Sequence, residues 1–352
     1  MPTTDTFLGW ASLTRAINEI KSPANFLSNL MFRNVETLPT ETLELSVISG
    51  GREIAPFVRR DAEGILVGGY DEKFVTITMP NIRIKRAMQP SNLLYTRRPG
   101  STIFITSQSQ SSAMAQYIAR ETRRLFDLIA NSHEYLASLA LTGVITYSVT
   151  DEDVFTVTFP RDAGNTVTLS APADWGNASA AAINIEQDFH NAKEQLADTV
   201  GLAPSICVMS QSSALNFMAN EQVRTNIDRT GVNVGGITRQ SQFAENGSIF
   251  LGRFSGIPCW EYNRSIDVNG TPTALIRDKF VEFICLQPAA EMIQYYGSIP
   301  DMDAIQARQF VGRIFSKSWI QKDPSVRMIL AHSRPLPVTR RPDAIYSLKT
   351  NV

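Results

Sequence analysis

Few residues of this sequence have the types and spacing that catalysis, metal binding or phosphate binding requires. His133, His190 and His332 are far apart, and the first two fall in predicted helices without the second histidine at i+4 that forms a metal-binding face. The segment that starts Ser210-Gln-Ser-Ser lacks the glycines of a nucleophile elbow and indicates a helix cap instead. Residues 231–236 are glycine-rich but lack the Lys-Ser or Lys-Thr pair of a phosphate-binding loop. We therefore expect no catalytic residue, no metal site and no cofactor.

The three cysteines, Cys207, Cys259 and Cys285, are odd in number and widely spaced. No histidine stands near them at metal-ligand spacing, and no pair is close enough in sequence to suggest a redox motif. Free cysteines commonly behave as small buried apolar side chains. The pattern predicts buried structural thiols in a reducing cytoplasm.

Charged residues are more suggestive than nucleophiles. Five short basic groups stand out: Arg59-Arg60, Arg83-Lys85-Arg86, Arg97-Arg98, Arg120-Arg123-Arg124 and Arg340-Arg341. Each could be a solvated surface, an ion pair between subunits or a contact with nucleic acid. The whole chain is nearly neutral, with 33 Lys plus Arg against 34 Asp plus Glu in 352 residues, so a protein dedicated to wrapping nucleic acid is not indicated. Four acidic residues in one predicted helix are expected to solvate its polar face: Glu186, Asp188, Glu194 and Asp198.

The elements that position these groups begin with a long arm. Residues 43–48 and 74–84 alternate between apolar and polar, and they flank a glycine-rich, basic middle. This pattern predicts a two-stranded arm that projects from a body. A lone hairpin buries too little apolar surface to offset its ordering entropy, so we expect a neighbouring subunit to cover it.

Two helices frame the arm. Trp10, Leu13, Ile17 and Ile20 have helical spacing, and this apolar stripe could pack on its own body or lie across a neighbour. Residues 111–141 predict a long amphipathic spine helix whose polar flank carries a cluster of charges: Arg120, Glu121, Arg123 and Arg124.

The rest of the chain predicts a second, inserted domain. Residues 144–147, 154–159 and 166–169 alternate like antiparallel strands beside the spine, and a helix capped by Asn177 or Ser179 would open the insertion. The insertion holds a buried strand at 206–209, a helix at 210–220, a glycine-rich loop at 230–247 and strands near 249–254, 257–262, 273–277 and 279–286. Strands at 309–319 and 327–332 are expected to return to the first sheet. Neither a secretory signal nor a membrane-spanning segment is evident.

At this point the sequence resembles a known family. The matching motifs are Phe32-Arg33, Thr40-Glu41, Leu45-x-x-Ile48-x-Gly50, Ala55-Pro56-Phe57-Val58, Gly68-Gly69 and Thr78-Met79-Pro80-Asn81-Ile82-Arg83-Ile84-Lys85. They are similar to the N-terminal arm and extended loop of lambda-type major capsid proteins, the phage capsid protein E family. The order of the following elements agrees with that family along nearly the whole chain.

The resemblance implies an α+β Hong Kong 97-like capsid fold. Its parts would be an N-terminal arm (1–42), an extended β-hairpin loop (43–98), a peripheral domain (99–175 and 291–352) with the spine helix at about 111–141, and an axial domain (176–290). It further implies a non-enzymatic subunit of a tailed double-stranded DNA bacteriophage, which forms hexamers and pentamers of an icosahedral shell. Assembly would occur in the host cytoplasm and the product would be the virion.

The partners implied are further copies of the chain, with scaffolding, decoration and portal proteins as possible additions. Double-stranded DNA would be enclosed without sequence-specific binding, and no membrane would be involved. The alternatives are the shell of an encapsulin-like cellular nanocompartment and a cytosolic α/β enzyme built on residues 172–286. The absence of a recognisable nucleophile, metal set or cofactor loop disfavours the enzyme.

We expect contacts between subunits at nine residues of the arm and loop: Trp10, Arg52, Arg59, Arg60, Tyr70, Lys73, Arg83, Lys85 and Arg86. Some members of this fold join subunits covalently through a Lys and an Asn assisted by a Glu. Lys73 is a conceivable donor, but no Asn partner can be named from the sequence. Lambda-type shells are typically reinforced by a decoration protein, so we expect no cross-link.

Overall fold

The computed structural model describes residues 10–19, 25–49, 71–89, 107–148, 154–177, 183–229, 247–287, 290–302, 312–323 and 325–351. In these ranges the helices are α1 Trp10–Glu19, α2 Phe26–Met31, α3 Ser107–Leu141, α4 Ile185–Thr199, α5 Gln211–Ala219 and α6 Glu221–Arg229. The first nine strands are β1 Asn34–Thr37, β2 Thr42–Ser49, β3 Asp71–Thr78, β4 Ile82–Met88, β5 Val144–Ser148, β6 Val154–Thr158, β7 Thr166–Thr168, β8 Ile206–Met209 and β9 Ser248–Phe254. The others are β10 Ile257–Tyr262, β11 Ser265–Val268, β12 Thr271–Ala274, β13 Phe280–Ile284, β14 Met292–Tyr296, β15 Phe315–Gln321, β16 Val326–Ser333, β17 Pro335–Thr339 and β18 Ile345–Lys349.

The strands form one large sheet and several small ones. The six-stranded sheet has the order β7-β18-β13-β8-β10-β9, and two three-stranded sheets have the orders β1-β14-β17 and β15-β16-β4. Three further sheets contain two strands each: β2-β3, β5-β6 and β11-β12. The six-stranded sheet mixes parallel and antiparallel neighbours, since β8 is parallel to β10 but antiparallel to β13.

The spine helix α3 connects two hydrophobic cores. Its C-terminal turns belong to the larger core with the six-stranded sheet, where Ala137 and Leu141 are buried. Its middle turns belong to a smaller core with α1, β4 and β16, where Leu125 and Ile129 are buried. The spine therefore links the smaller core, which holds α1, to the larger core, which holds the six-stranded sheet and the base of the extended loop.

The apolar stripe of α1 packs on its own body. Leu13 and Ile17 are 4% and 0% exposed and lie in the smaller core with the spine. The Thr14 hydroxyl donates to the carbonyl of Ser316 at 2.9 Å, and the amide of Ser316 donates back to that hydroxyl. Of the two placements that the sequence left open, the structure shows the packing within the subunit.

Residues 74–84 are two strands and not one, which corrects the sequence prediction. Residues Asp71–Thr78 pair with β2, whereas Ile82–Met88 pair with β16 in a different sheet. Pro80 lies in the break between them and has no N–H to donate to a continuing ladder. The prediction also missed the short helix Phe26–Met31, which precedes the loop.

Two other predictions were wrong in detail. The strand at 166–169 was predicted to be antiparallel, but residues 166–168 pair in parallel with β18 in the six-stranded sheet. Helix α4 begins at Ile185, where the side chain of Asn184 accepts from the amide of Gln187, and not near Asn177 or Ser179. The predicted strand at 327–332 lies within β16, which pairs with β4, whereas β18, which joins the six-stranded sheet, was not predicted.

Other local predictions are confirmed. Ser210 caps α5 by accepting from the amide of Ser213, and Asn269-Gly270 is the turn between β11 and β12, with both residues at positive φ. The three cysteines are free thiols and all are buried. The glycine-rich segments of the arm tip and most of the loop at 230–247 lie outside the described residues.

Candidate inter-subunit surface

The extended loop is rooted in the body at its base. Strands β2 and β3 pair from Thr42 opposite Thr78 to Ser49 opposite Asp71, and they form a sheet of only two strands. At the base, Leu43 and Ile77 are 7% and 5% exposed and enter the larger core. The hydroxyl of Tyr147 donates to the carbonyl of Thr78 at 2.8 Å. The base is thus fixed, while both outer edges of the two-stranded sheet lack a strand partner among the described residues.

After the loop, β4 presents cations on one face and apolar side chains on the other. Arg83 and Lys85 are exposed, whereas Ile82 and Ile84 are half-buried against the smaller core. The two-residue period of a strand produces this separation. Among the described strands, β4 lies at the edge of its sheet, so the two cations lie at a margin that another chain can approach.

Arg86 lies on the same strand but faces the spine helix. Its Nε is 2.7 Å from Oε2 of Glu121, and NH1 of Arg124 is 3.0 Å from Oε1 of the same carboxylate. Nε of Arg120 lies farther away, at 4.0 Å. The Glu121 side chain is 2% exposed, whereas those of Arg86 and Arg124 are 45% and 53% exposed. A buried carboxylate thus holds several solvent-facing guanidinium groups.

A second buried glutamate of the spine joins three parts of the fold. Glu134 is 0% exposed and accepts from the amides of Leu27 and Ser28, at 2.7 and 3.0 Å. These are N–H groups of the first turn of α2, which have no partner within their own helix. A third hydrogen bond, 2.8 Å long, comes from the hydroxyl of Tyr262 on β10. Glu134 therefore acts as the N-terminal cap of α2 and ties it to the spine and to the six-stranded sheet.

Neighbouring contacts reinforce this junction. Arg264 donates to the side-chain oxygens of Asn25 and Asn131, at 3.1 and 2.7 Å. The rings of Phe26 and Tyr262 are 5.2 Å apart. Burial and the adjacent carboxylate raise the pKa of Tyr262 well above its ordinary value, so this hydroxyl stays protonated and remains a donor.

A cavity of about 180 Å³ lies next to the junction, between α1, α2, the spine and β14. His133 lines it, and the ring nitrogens of this residue lie 3.4 Å from the hydroxyls of Tyr296 and Ser333. Burial and the positive charge of Arg313 lower the pKa of His133 to about 4. The cavity is polar and large enough for water, and its histidine is neutral at physiological pH.

The described residues contain no group of three or more His, Cys, Asp or Glu side chains that could hold a metal ion. In the same residues, no helix is both long enough and apolar enough to cross a membrane.

Comparison with known proteins decides the family. The sequence pattern of the phage major capsid protein E family matches residues 9–350. The chain belongs to that family. The predicted resemblance and the function that it implied, a phage major capsid protein, are confirmed.

Solved structures support the same fold. The structure of a prophage capsid protein from Escherichia coli CFT073 is 16% identical to this capsid protein, with a TM-score of 0.72 and coverage of 97% of this chain and 99% of the other. A phage-related protein from Bordetella bronchiseptica RB50 is 13% identical, with a TM-score of 0.53 and coverage of 97% of both chains. Among curated proteins, none matches. The Hong Kong 97-like fold of the capsid protein is thereby confirmed, and the chain is a structural protein of a phage shell, found in the virion.

The structure places the nine predicted contact residues unevenly. Arg83 and Lys85 are exposed on β4, and Arg86 is already paired with Glu121 inside the subunit. The backbones of Trp10 and Lys73 lie at the start of α1 and on β3, opposite Val47. The other four lie outside the described residues: Arg52, Arg59, Arg60 and Tyr70. Their role between subunits remains a prediction.

The two spine glutamates were missed as functional residues. Glu121 had been predicted on the polar flank, but it is buried. The available signal was its position three residues after Ile118 and four before Leu125, on the apolar stripe. Glu134 carries the same signal between Ala130 and Ala137. A lone carboxylate on an apolar helix stripe predicts a buried partner, because an unpaired buried charge is costly.

Proposed function

We propose that this capsid protein assembles as hexamers and pentamers into an icosahedral shell around double-stranded DNA of a tailed phage. The arm and the extended loop bind neighbouring subunits in that shell. Assembly takes place in the host cytoplasm, and the subunit has no catalytic role. Scaffolding, decoration and portal proteins are compatible partners.

The two-stranded sheet β2-β3 is the observation that carries this proposal. Its base is anchored by Leu43 and Ile77, and beyond the base it has two free edges among the described residues. Isolated two-stranded sheets are marginal in water, so the loop gains stability when a neighbour covers it. Many such contacts, repeated by symmetry, add up to a stable closed shell.

The test is assembly of a loop variant. Deletion of residues 52–70 should leave a folded subunit, because the core residues at the base of the loop are retained, but electron microscopy should show no stable shells. A milder variant, R59E/R60E, should reduce the yield of shells. The matched control R224E/R253E reverses two exposed arginines on α6 and β9 and should reduce that yield much less.

Normal particles from the deletion variant would refute the role of the loop. The nucleic acid content of purified wild-type particles tests the other half of the proposal. Particles that carry a protein cargo and no DNA would favour a nanocompartment shell.

A further inference from the structure

The arginine cluster around Glu121 carries more positive charge than the Glu121 carboxylate can neutralise. Arg86, Arg120 and Arg124 all approach one carboxylate, whose side chain is 2% exposed. Each of the three keeps about half of its side chain exposed, at 45%, 49% and 53%. One negative charge cannot neutralise three positive charges, so the surface above Glu121 is cationic.

The buried carboxylate also orders the guanidinium groups. A guanidinium has five N–H donors in a rigid fork, and a single carboxylate uses only a few of the donors that surround it. Arg120 is further fixed by the ring of Tyr117, whose centroid lies 5.1 Å from the guanidinium carbon. The three side chains, each about half exposed, project from the spine and from β4. Arg123 is also exposed on this part of the spine.

The chemistry of this surface fits phosphate. Planar forks bind phosphate oxygens in pairs, and contacts of this kind are independent of base sequence. A protein interface would have an apolar centre depleted in charge. Here the exposed neighbours of Arg86 and Arg120 along their own elements are Lys85, Ala87 and Ala119, and the one large apolar side chain exposed on the described part of the spine, Leu128, lies one turn beyond Arg124.

We propose that Arg86, Arg120, Arg123 and Arg124 form a phosphate-binding surface for duplex DNA. The inference rests on the proposed function, since it assigns the contact of the subunit with the enclosed genome to one cluster. Glu121 is a positioning residue in this arrangement. Arg86 and Arg124 make the two closest ion pairs with Glu121, so Arg120 and Arg123 can be replaced at less cost to the fold.

The experiment measures binding of the unassembled full-length chain to a labelled duplex DNA of random sequence across a salt series. R120Q/R123Q is compared with R224Q/R253Q, which removes the same charge from α6 and β9. Each phosphate contact contributes about 0.9 to the slope of log K against log salt. R120Q/R123Q should therefore lower the slope by about 1.8 and the affinity at low salt by about tenfold or more. The control should leave the slope within about 0.5 of wild type.

Circular dichroism and a thermal melt check that each variant is folded. If R120Q/R123Q fails to fold, R123Q tests the surface alone, because Arg123 lies outside the Glu121 ion pairs, and its expected slope change is about 0.9. Inorganic phosphate and polyglutamate are then tested against DNA, to distinguish a phosphate site from a site for an acidic protein segment. DNA should displace both molecules, and polyglutamate should bind less tightly than DNA of equal charge.

Equal slopes for the cluster variant and the control would overturn the inference. So would a cluster variant that keeps its DNA affinity but cannot build shells, since that result assigns the cluster to an acidic segment of a neighbouring copy. Shell formation by the wild type is scored separately by electron microscopy. If no shells form but the slope still depends on the cluster, the assembly proposal fails and the phosphate surface stands.

Discussion

At the scale of single residues, two buried glutamates of one helix hold different parts of the subunit. Glu134 accepts three hydrogen bonds, from two amides of α2 and from Tyr262. Glu121 is instead surrounded by arginines. The first residue satisfies backbone groups that the fold buries, and the second arranges charges that the fold exposes. Glu134 should therefore matter more for stability and Glu121 more for the character of the surface.

Replacement of Glu134 by alanine should destabilise the subunit strongly. The change leaves the amides of Leu27 and Ser28 and the hydroxyl of Tyr262 without their acceptor in a buried place. We expect the free energy of unfolding to fall by about 3 kcal/mol or more. Urea denaturation of the unassembled subunit measures it.

The control for E134A is E194A, which removes an exposed carboxylate from α4. That change should cost less than about 0.5 kcal/mol. A similar loss of unfolding free energy in both variants would contradict the role of Glu134 as the cap of α2.

His332 should make the subunit sensitive to mild acid. Burial, helped by Arg334 and Arg83 and opposed by Asp301 and Glu41, lowers its pKa from 6.5 to about 4. The unfolded chain thus binds a proton at a higher pH than the folded chain does. The contribution of neutral His332 to the free energy of unfolding is complete above about pH 6.5 and is lost as the pH falls towards about 4.

The variant H332Q should retain a partner for Asn81 and lose this part of the pH dependence. The difference in unfolding free energy between pH 7 and pH 4 should shrink by up to about 3 kcal/mol. His190 is exposed on α4, so H190Q serves as the control and should follow the wild-type curve. Superimposable pH profiles of H332Q and the wild type would rule out this contribution.

Some single-residue features could be predicted from the sequence and others could not. The cap at Ser210 was predictable because its hydrogen bond is local, to the amide of Ser213. The buried state of Glu121 depends on Arg86, which is distant in sequence and reaches the spine only through the pairing of β4 with β16. Local rules contain no information about such a partner.

At the scale of elements, the packing of α1 shows that its apolar stripe lies on its own subunit and not on a neighbour. The stripe of Leu13 and Ile17 meets Ile118 and Leu125 of the spine in one core. The helix is short, and most of its stability must come from this burial. It therefore belongs to the folded subunit.

Replacement of Ile17 by alanine tests that placement. Because Ile17 is 0% exposed, the variant should lose about 2–5 kcal/mol of unfolding free energy in the unassembled subunit. R15A, on the exposed face of the same helix, should change it by less than about 0.5 kcal/mol. Unchanged subunit stability together with impaired shell formation would instead place the stripe on a neighbour.

The periodicity of the sequence predicted most strands but not their sheets. Alternation at 154–159 and 327–332 predicted strands that the structure contains as β6 and β16. The parallel pairing of β7 with β18 joins segments from distant parts of the chain, and pairing at that distance is decided by tertiary packing. The break at Pro80 was visible in the sequence and should have divided the predicted strand 74–84.

At the scale of the whole molecule, the family and the fold were predictable because the motifs of the arm and loop are distinctive and the order of elements follows them. The division into arm, loop, peripheral and axial domains remains a prediction. β18 falls in the predicted peripheral segment 291–352, yet it pairs with β13 of the predicted axial segment 176–290 in the six-stranded sheet. The contacts between subunits could not be derived from one chain, since their partners are other copies.

Assembled shells should be held together without covalent bonds. Lys73 lies on β3, but an isopeptide bond needs an Asn from a neighbour and a Glu beside it, and the sequence identifies neither. Denaturing electrophoresis of purified particles should give a single band at the mass of the monomer. A ladder of multimers that disappears in a K73R variant would contradict this expectation.

The position of β18 in the six-stranded sheet affects when the subunit can fold during synthesis. β18 lies between β7 and β13, yet the ribosome makes it after every other strand of that sheet. Until residues 345–349 have been translated, β7 lacks its partner among the described strands and one edge of β13 is unpaired there. The arm and the loop precede β18 in the chain, so they leave the ribosome before the six-stranded sheet can be completed. The subunit therefore cannot contribute this sheet to a shell until residues 345–349 have been made.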